Sequence, residues 1–331
     1  MSDRERQTGE RRLARRELLT AASALAVAAG CSSRDREGQI SVKRASEPSA
    51  QMPSTTSLAT TTTAMPEVVM PPSESVPETA ATTPPQIEAS SVVEEIAGRL
   101  AGREPLVWGL NVGSMVTSYS SGEPSLALTF DACGGPQGSG YDAELINMLI
   151  AYSIPATLFL CGRWIDANQA VARTLISNPL FEIGNHGHDH RPLSANGRSA
   201  YGIAGTASVR DALIEVAAND VTLRQLGVRS PRWFRSGTAY ADDVCLAGLK
   251  LMGYDFVGFT TNADAGATAS AAQIRSQLIA SGPGSIVLSH MNHPTKSTFE
   301  GFSQTLGELL AKRTKFVRLS EVADRLVLAH P

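Results

Sequence analysis

Residues 92–331 carry a regular hydrophobic pattern, and residues before 92 do not. Residues 92–100 predict a lead-in helix. Short apolar runs then predict strands at 126–130, 156–160, 181–184, 233–235, 256–260, 286–289 and 316–318. Stretches of helical period separate them, at 142–152, 167–177, 209–226, 244–252, 271–279, 302–312 and 321–328. Alternation of this kind implies an α/β fold with a parallel sheet. Seven such units favour a closed or nearly closed barrel, where chemistry gathers at the C-terminal ends of the strands.

Composition separates the rest of the chain. The first aromatic residue is Trp108. Aromatic side chains supply much of a core's buried area, so the preceding hundred or so residues are expected to lack a core. About 225 residues remain, a size that suits one α/β domain. Residues 1–31 read as an export signal: the Arg15-Arg16 pair, then an uncharged Ala- and Leu-rich run to Gly30. That run is too short to span a bilayer. The arginine pair suggests the twin-arginine route. Ala28-Ala29-Gly30-Cys31 resembles a lipobox, which would lipidate Cys31 and tether the protein to a membrane; the other reading is a plain exported protein. Residues 32–91 are rich in Thr, Ser and Pro and read as a disordered tether, leaving 92–331 as the catalytic domain. The net charge is −3 and no basic stripe is visible, which disfavours a nucleic-acid partner. Four cysteines are too few for a disulfide scaffold.

Candidate chemistry falls at the predicted strand ends. The first strand ends in Asp131, the third runs into His186-Gly187-His188-Asp189-His190, and the fourth ends in Arg235. Asp264 follows the fifth, and the sixth ends in His290, with Asn292 and His293 just beyond. Five of the six histidines thus lie at two strand ends. Neutral imidazoles are ready ligands for a divalent metal. In a loop, His186 and His190 can converge on one ion while His188 faces elsewhere; the alternative is a polar turn. Asp131 and His290 suit a base and an acid, since amide hydrolysis must activate water and protonate the leaving nitrogen. Their structural alternatives are a capping carboxylate and a backbone-bonded histidine. Arg235 and Asp264 fit either a structural ion pair or support for those two groups.

These motifs are collectively specific. Thr129-Phe130-Asp131, His186 with His190, Arg235, Asp264 and Leu288-Ser289-His290 resemble, in order and spacing, the polysaccharide deacetylases with the NodB-homology domain, over about residues 105–328. The resemblance implies a distorted (β/α)7 barrel. It also implies a zinc or similar divalent ion, and removal of acetyl groups from N-acetylglucosamine units of peptidoglycan or a chitin-like polymer. By the same resemblance Asp131 matches the general base, His186 and His190 the metal histidines, and His290 the general acid. Arg235 matches the arginine that positions the base, and Asp264 the acid that tunes the histidine. Backbone N–H groups near Gly237 or Thr238 would stabilise the oxyanion with the metal, and Leu288 would face substrate.

The chain departs from that family in places. Its first motif, Thr129-Phe130-Asp131-Ala132-Cys133-Gly134-Gly135, has Ala132 where a second, metal-binding aspartate is usual. Either Asp131 serves the metal directly, or His188, Asp189 or Asp142 completes the shell. Gly237-Thr238 replaces a usual Pro-Tyr, Gly187 stands where Ser or Thr is common, and no tryptophan follows Asp264. Cys133 and Cys161 end adjacent predicted strands and could pair as a disulfide or remain two small thiols. The competing expectations are a glycan-binding protein that has lost its metal, an amidase acting on another C–N bond, and a structural surface lipoprotein. A monomer is expected.

Overall fold

The computed structural model describes residues 85–329. The expected signal peptide, the lipobox at Cys31 and residues 32–84 of the tether lie outside the described residues. The first described helix, α1 (Pro85–Leu100), begins earlier than position 92, so the last residues assigned to the tether are helical. It buries Val93, Ile96 and Leu100, a stripe at three- and four-residue spacing, against Leu213 and Val244.

Two short strands, β1 (Trp108–Gly109) and β2 (Val116–Tyr119), precede β3 (Ser125–Ala132). Every residue of β3 is buried, as expected of a strand covered on both faces. The chain then alternates: α2 (Ala143–Ala151), β4 (Ala156–Leu160), α3 (Gly162–Ala167) with α4 (Gln169–Ser177), β5 (Phe181–Asn185), α5 (Val209–Gln225) and β6 (Trp233–Phe234). It continues through β7 (Ala241–Asp242), α6 (Asp243–Leu251), β8 (Asp255–Phe256), β9 (Thr261–Asn262), α7 (Ala271–Ala280), β10 (Ser285–His290) and α8 (Thr298–Ala311). Two last strands follow, β11 (Lys315–Phe316) and β12 (Leu326–Leu328). Local sequence starts several helices. Asp142, Ser208 and Asp242 cap α2, α5 and α6, and Ser270 with Gln273 forms a capping box on α7.

The ladder runs β8–β6–β5–β4–β3–β10, parallel throughout, with β2 antiparallel on β10. Beyond β8 the sheet meets its other edge: Val257 bridges Val116 of β2, and Gly258 N–H donates to the Val116 carbonyl at 2.7 Å. That seam closes the distorted (β/α)7 barrel. The register brings distant residues together, because His290 of β10 lies directly opposite Asp131 of β3.

Three expectations are corrected. The strand over 256–260 shrinks to Asp255–Phe256, because the backbone leaves β6 at the seam to bond Val116 and then Ile286. The helix over 167–177 breaks at Asn168, whose Nδ2 donates to the Ser139 and Trp164 carbonyls. The last helix, 321–328, is instead a 3-10 turn (Leu319–Val322) and the strand β12, which pairs with β2. A helix so short nucleates poorly, whereas the β2 edge offers it a ready ladder.

Candidate active site

The strand ends named by the sequence converge on one cavity of about 640 Å3, lined among others by Asp131, Cys133, His190, Thr238, Leu288 and His290. Asp131 sits at the end of β3 and is 3% exposed. Its Oδ1 accepts from Arg235 Nη1 at 2.7 Å, and its Oδ2 is 3.7 Å from His186 Nε2. Burial opposes its charge, but Arg235, His186 and His290 outweigh burial and hold the carboxyl below its ordinary range.

Arg235 is fully buried and committed to the scaffold. Besides Asp131 it donates to Thr129 Oγ1 at 2.9 Å, the Val257 carbonyl at 3.0 Å and the Gly258 carbonyl at 3.1 Å. Its guanidinium lies 4.3 Å from the centre of the Phe159 ring. One side chain thus holds the carboxylate and laces β3 to the closing seam.

His186 donates from Nδ1 to the Arg235 carbonyl at 2.8 Å, which leaves the Nε2 lone pair toward the cavity. The His190 ring stands 4.9 Å from the His186 ring. Backbone fit sets this turn. A Cβ at Gly237 would come within 2.1 Å of the His190 carbonyl oxygen, and one at Gly187 within 2.4 Å of Glu215 Oε1. Both glycine departures noted in the sequence therefore follow from close approach. Glu215, on α5, accepts from the N–H groups of Asp189 at 2.9 Å and Arg191 at 3.2 Å, so it grips the backbone on both sides of His190.

The third donor is Cys133. Its Sγ lies 3.8 Å from His186 Nε2, and one ligand atom from each of Cys133, His186 and His190 lies within 4.8 Å of the others. Among the described residues this is the group of donors able to hold a metal ion. Strand geometry explains the choice. Asp131 near the end of β3 and Cys133, the first residue after it, both line the cavity, while Ala132 between them packs into the core. Burial opposes ionisation of the Cys133 thiol, but His190, His186 and His290 outweigh burial and bring it well below the ordinary thiol value.

The residues expected to complete the shell do not join the group. Asp142 Oδ1 accepts from Leu145 N–H at 3.0 Å as a helix cap. Asp189 pairs with Arg163 at 2.9 Å, and His188 turns away toward Gly162. Asp131 stands beside the three donors but is held by Arg235. Cys133 and Cys161 are both free, and Cys161 Sγ donates to the His188 carbonyl at 3.1 Å, so no disulfide links them. Sequence reasoning missed Cys133 as a ligand. The usable signal was its place two residues after Asp131, at the mouth of the strand that carries the candidate base.

His290 donates from Nδ1 to Asp264 Oδ1 at 2.9 Å, while its own backbone N–H and Thr298 Oγ1 hold Asp264 Oδ2 at 2.7 and 3.0 Å. Its Nε2 is thereby left for the cavity. Burial alone would lower the His290 pKa, but Asp264, with Cys133 adding to it, outweighs burial and raises it well above the ordinary value. Thr238, in a left-handed conformation with φ 74°, and Leu288 line the cavity wall.

The barrel thus collects a paired carboxylate, a carboxylate-backed imidazole and a three-donor metal-type cluster at the C-terminal rim, where α/β barrels place their chemistry. Residues 118–257 match the family model described as polysaccharide deacetylase. A chitooligosaccharide deacetylase of Rhizobium leguminosarum bv. phaseoli is 32% identical over 74 residues, which is 22% of this chain and 31% of that protein. The fold is similar to that of a family 4 carbohydrate esterase pseudoenzyme from Bacillus anthracis (TM-score 0.53, 19% identity, 64% of this chain and 69% of that one). It is also similar to a peptidoglycan N-acetylglucosamine deacetylase (TM-score 0.53, 20% identity, 63% of this chain and 92% of that one).

Proposed function

We propose that the protein is a metal-dependent hydrolase that removes N-acetyl groups from N-acetylglucosamine-type units of a cell-wall or extracellular polysaccharide. The observation that carries this reading is that Cys133 and His190 line one cavity with Asp131 and His290, with His186 buried beside them and Asp264 buried behind His290. The donor set fits the metal: a thiolate and two imidazoles suit zinc, and three protein ligands leave a position open, as catalytic zinc sites do.

A divalent ion, which Cys133, His186 and His190 would hold, would supply the acidity that a water needs before a carboxylate held low by arginine can deprotonate it. Asp131 accepts a proton from the attacking water on Oδ2, with Arg235 holding Oδ1 and so aiming the carboxylate. The water oxygen joins the acetyl carbonyl carbon, and backbone N–H groups at Gly237 or Thr238 face the oxyanion. His290, kept protonated and oriented by Asp264, gives its Nε2 proton to the sugar nitrogen as the C–N bond breaks. Acetate and a free amine leave. Leu288 supplies an apolar wall for the acetyl methyl group. The export signal, the lipobox at Cys31 and the Thr/Ser/Pro-rich tether support placement outside the cell, on a membrane and facing wall polymer.

Metal content of the purified chain, with acetate release from the N-acetylglucosamine hexamer, tests the reading. About one zinc per chain is expected. Cys133→Ala should weaken zinc binding about 10- to 100-fold without unfolding the protein, because Cys133 faces the cavity rather than the core. The similarity to a pseudoenzyme, together with Ala132, favours one second reading, glycan binding without turnover. A metal-free protein that still binds the hexamer would establish it.

A further inference from the structure

We propose that Trp108, Tyr201 and Tyr240 form a stacking platform for a second sugar ring of the chain whose reacting unit occupies the cavity; the identity of that unit rests on the deacetylase reading above. The Trp108 and Tyr240 rings are 5.7 Å apart and tilted by 45°, and Tyr201 meets Tyr240 edge-on at 5.5 Å. The Arg198 guanidinium sits 5.4 Å from the Trp108 ring centre. Three separate pieces of chain build the cluster. Trp108 comes from β1, which pairs antiparallel with β7, and Tyr240 directly precedes β7. Tyr201 comes from the segment between β5 and α5, in a left-handed conformation (φ 51°).

The cluster is not core. Tyr201 is 74% exposed, and it also lines the catalytic cavity, so the platform and the cavity are continuous. A large exposed aromatic beside a cavity calls for a ligand. The surroundings select which kind. The exposed Arg198 sits over the Trp108 ring, and the exposed Asn196 and Ser199 flank it in the chain, so polar groups border the apolar surface. That suits a pyranose, which offers one face of C–H groups to an aromatic ring and hydroxyls at its edge. A lipid surface or a protein partner would need a broader apolar patch. The protein is thereby fitted to an oligomeric glycan over a single acetylated sugar.

Intrinsic fluorescence of the full-length chain reads this directly. Of the three tryptophans, Trp164 and Trp233 are 0% and 1% exposed, so a change in emission on adding glycan reports Trp108. The N-acetylglucosamine hexamer should produce a saturable change, and the monomer much less at equal concentration. Tyr201→Ala should weaken the hexamer's effect about threefold to tenfold, and raise KM for the hexamer by a similar factor with little change in kcat. The exposure of Tyr201 makes unfolding of this variant unexpected, and a melting curve checks it. Wild-type emission that ignores the hexamer, or a Tyr201→Ala variant that binds it as tightly as wild type, would overturn the platform. Acetate release without Tyr201 dependence would remove the platform and keep the deacetylase. Tyr201-dependent binding without acetate release would do the reverse.

Discussion

His290 is the residue whose removal separates chemistry from structure most cleanly. It reaches the cavity through Nε2 and is anchored by Asp264. We expect His290→Ala to keep zinc content and to melt near wild type, while turnover falls about 10^2- to 10^4-fold, the usual range for a lost general acid. Parallel losses of stability and activity would mark the histidine as structural. At this scale the sequence was legible for groups that announce themselves by type: Asp131, His186, His190, Arg235, Asp264 and His290 all reach one place. Cys133 did not announce itself, because a lone cysteine carries no ligand spacing of its own. Its partners come from a loop more than fifty residues later, and only the register of β3, β4 and β5 brings the ends of those strands together.

Among elements, α5 acts on the site without entering it. Glu215 holds the turn that carries His190, and leaving its two backbone N–H partners unmet in a buried place should cost about 2 kcal/mol or more. Glu215→Ala should therefore loosen His190 and weaken metal binding, whereas Glu215→Gln keeps an accepting oxygen. Burial raises the Glu215 pKa above its ordinary 4.5, although the N–H groups of Arg191 and Asp189 pull it down. Stability from the protonated form is thus complete below 4.5 and is lost as pH rises through the folded value. Melting temperatures of Glu215→Gln should then gain on wild type from pH 4 toward pH 7, and a constant gap would refute the linkage. Elements with strong period or continuous burial were readable, as residues 156–160 show. The short strands β1, β2, β7 and β12 were missed, since two to four residues hold no pattern and their pairing is decided by neighbours already in place.

For the whole molecule, the expected lipid anchor sets where the barrel can act. Cys31→Ser should move the protein from the membrane fraction to the soluble fraction of its host without altering acetate release from the soluble hexamer. Retention at the membrane would point to another anchor. The barrel class followed from alternation alone. Where it closes was not readable, because the seam rests on one bridge, Val116 to Val257, and Val116 lies in a stretch assigned no element.

Arg235 ties that seam to the base: the same guanidinium binds Asp131, Thr129 and the two carbonyls at the closing edge. An opened barrel is consequently a barrel with an unaimed carboxylate, and a half-working intermediate has no place in this design. Heat-inactivation and unfolding curves should superimpose. A turnover assay on such a protein doubles as a gauge of its folded fraction, sensitive to the first breath of the seam and silent once it parts.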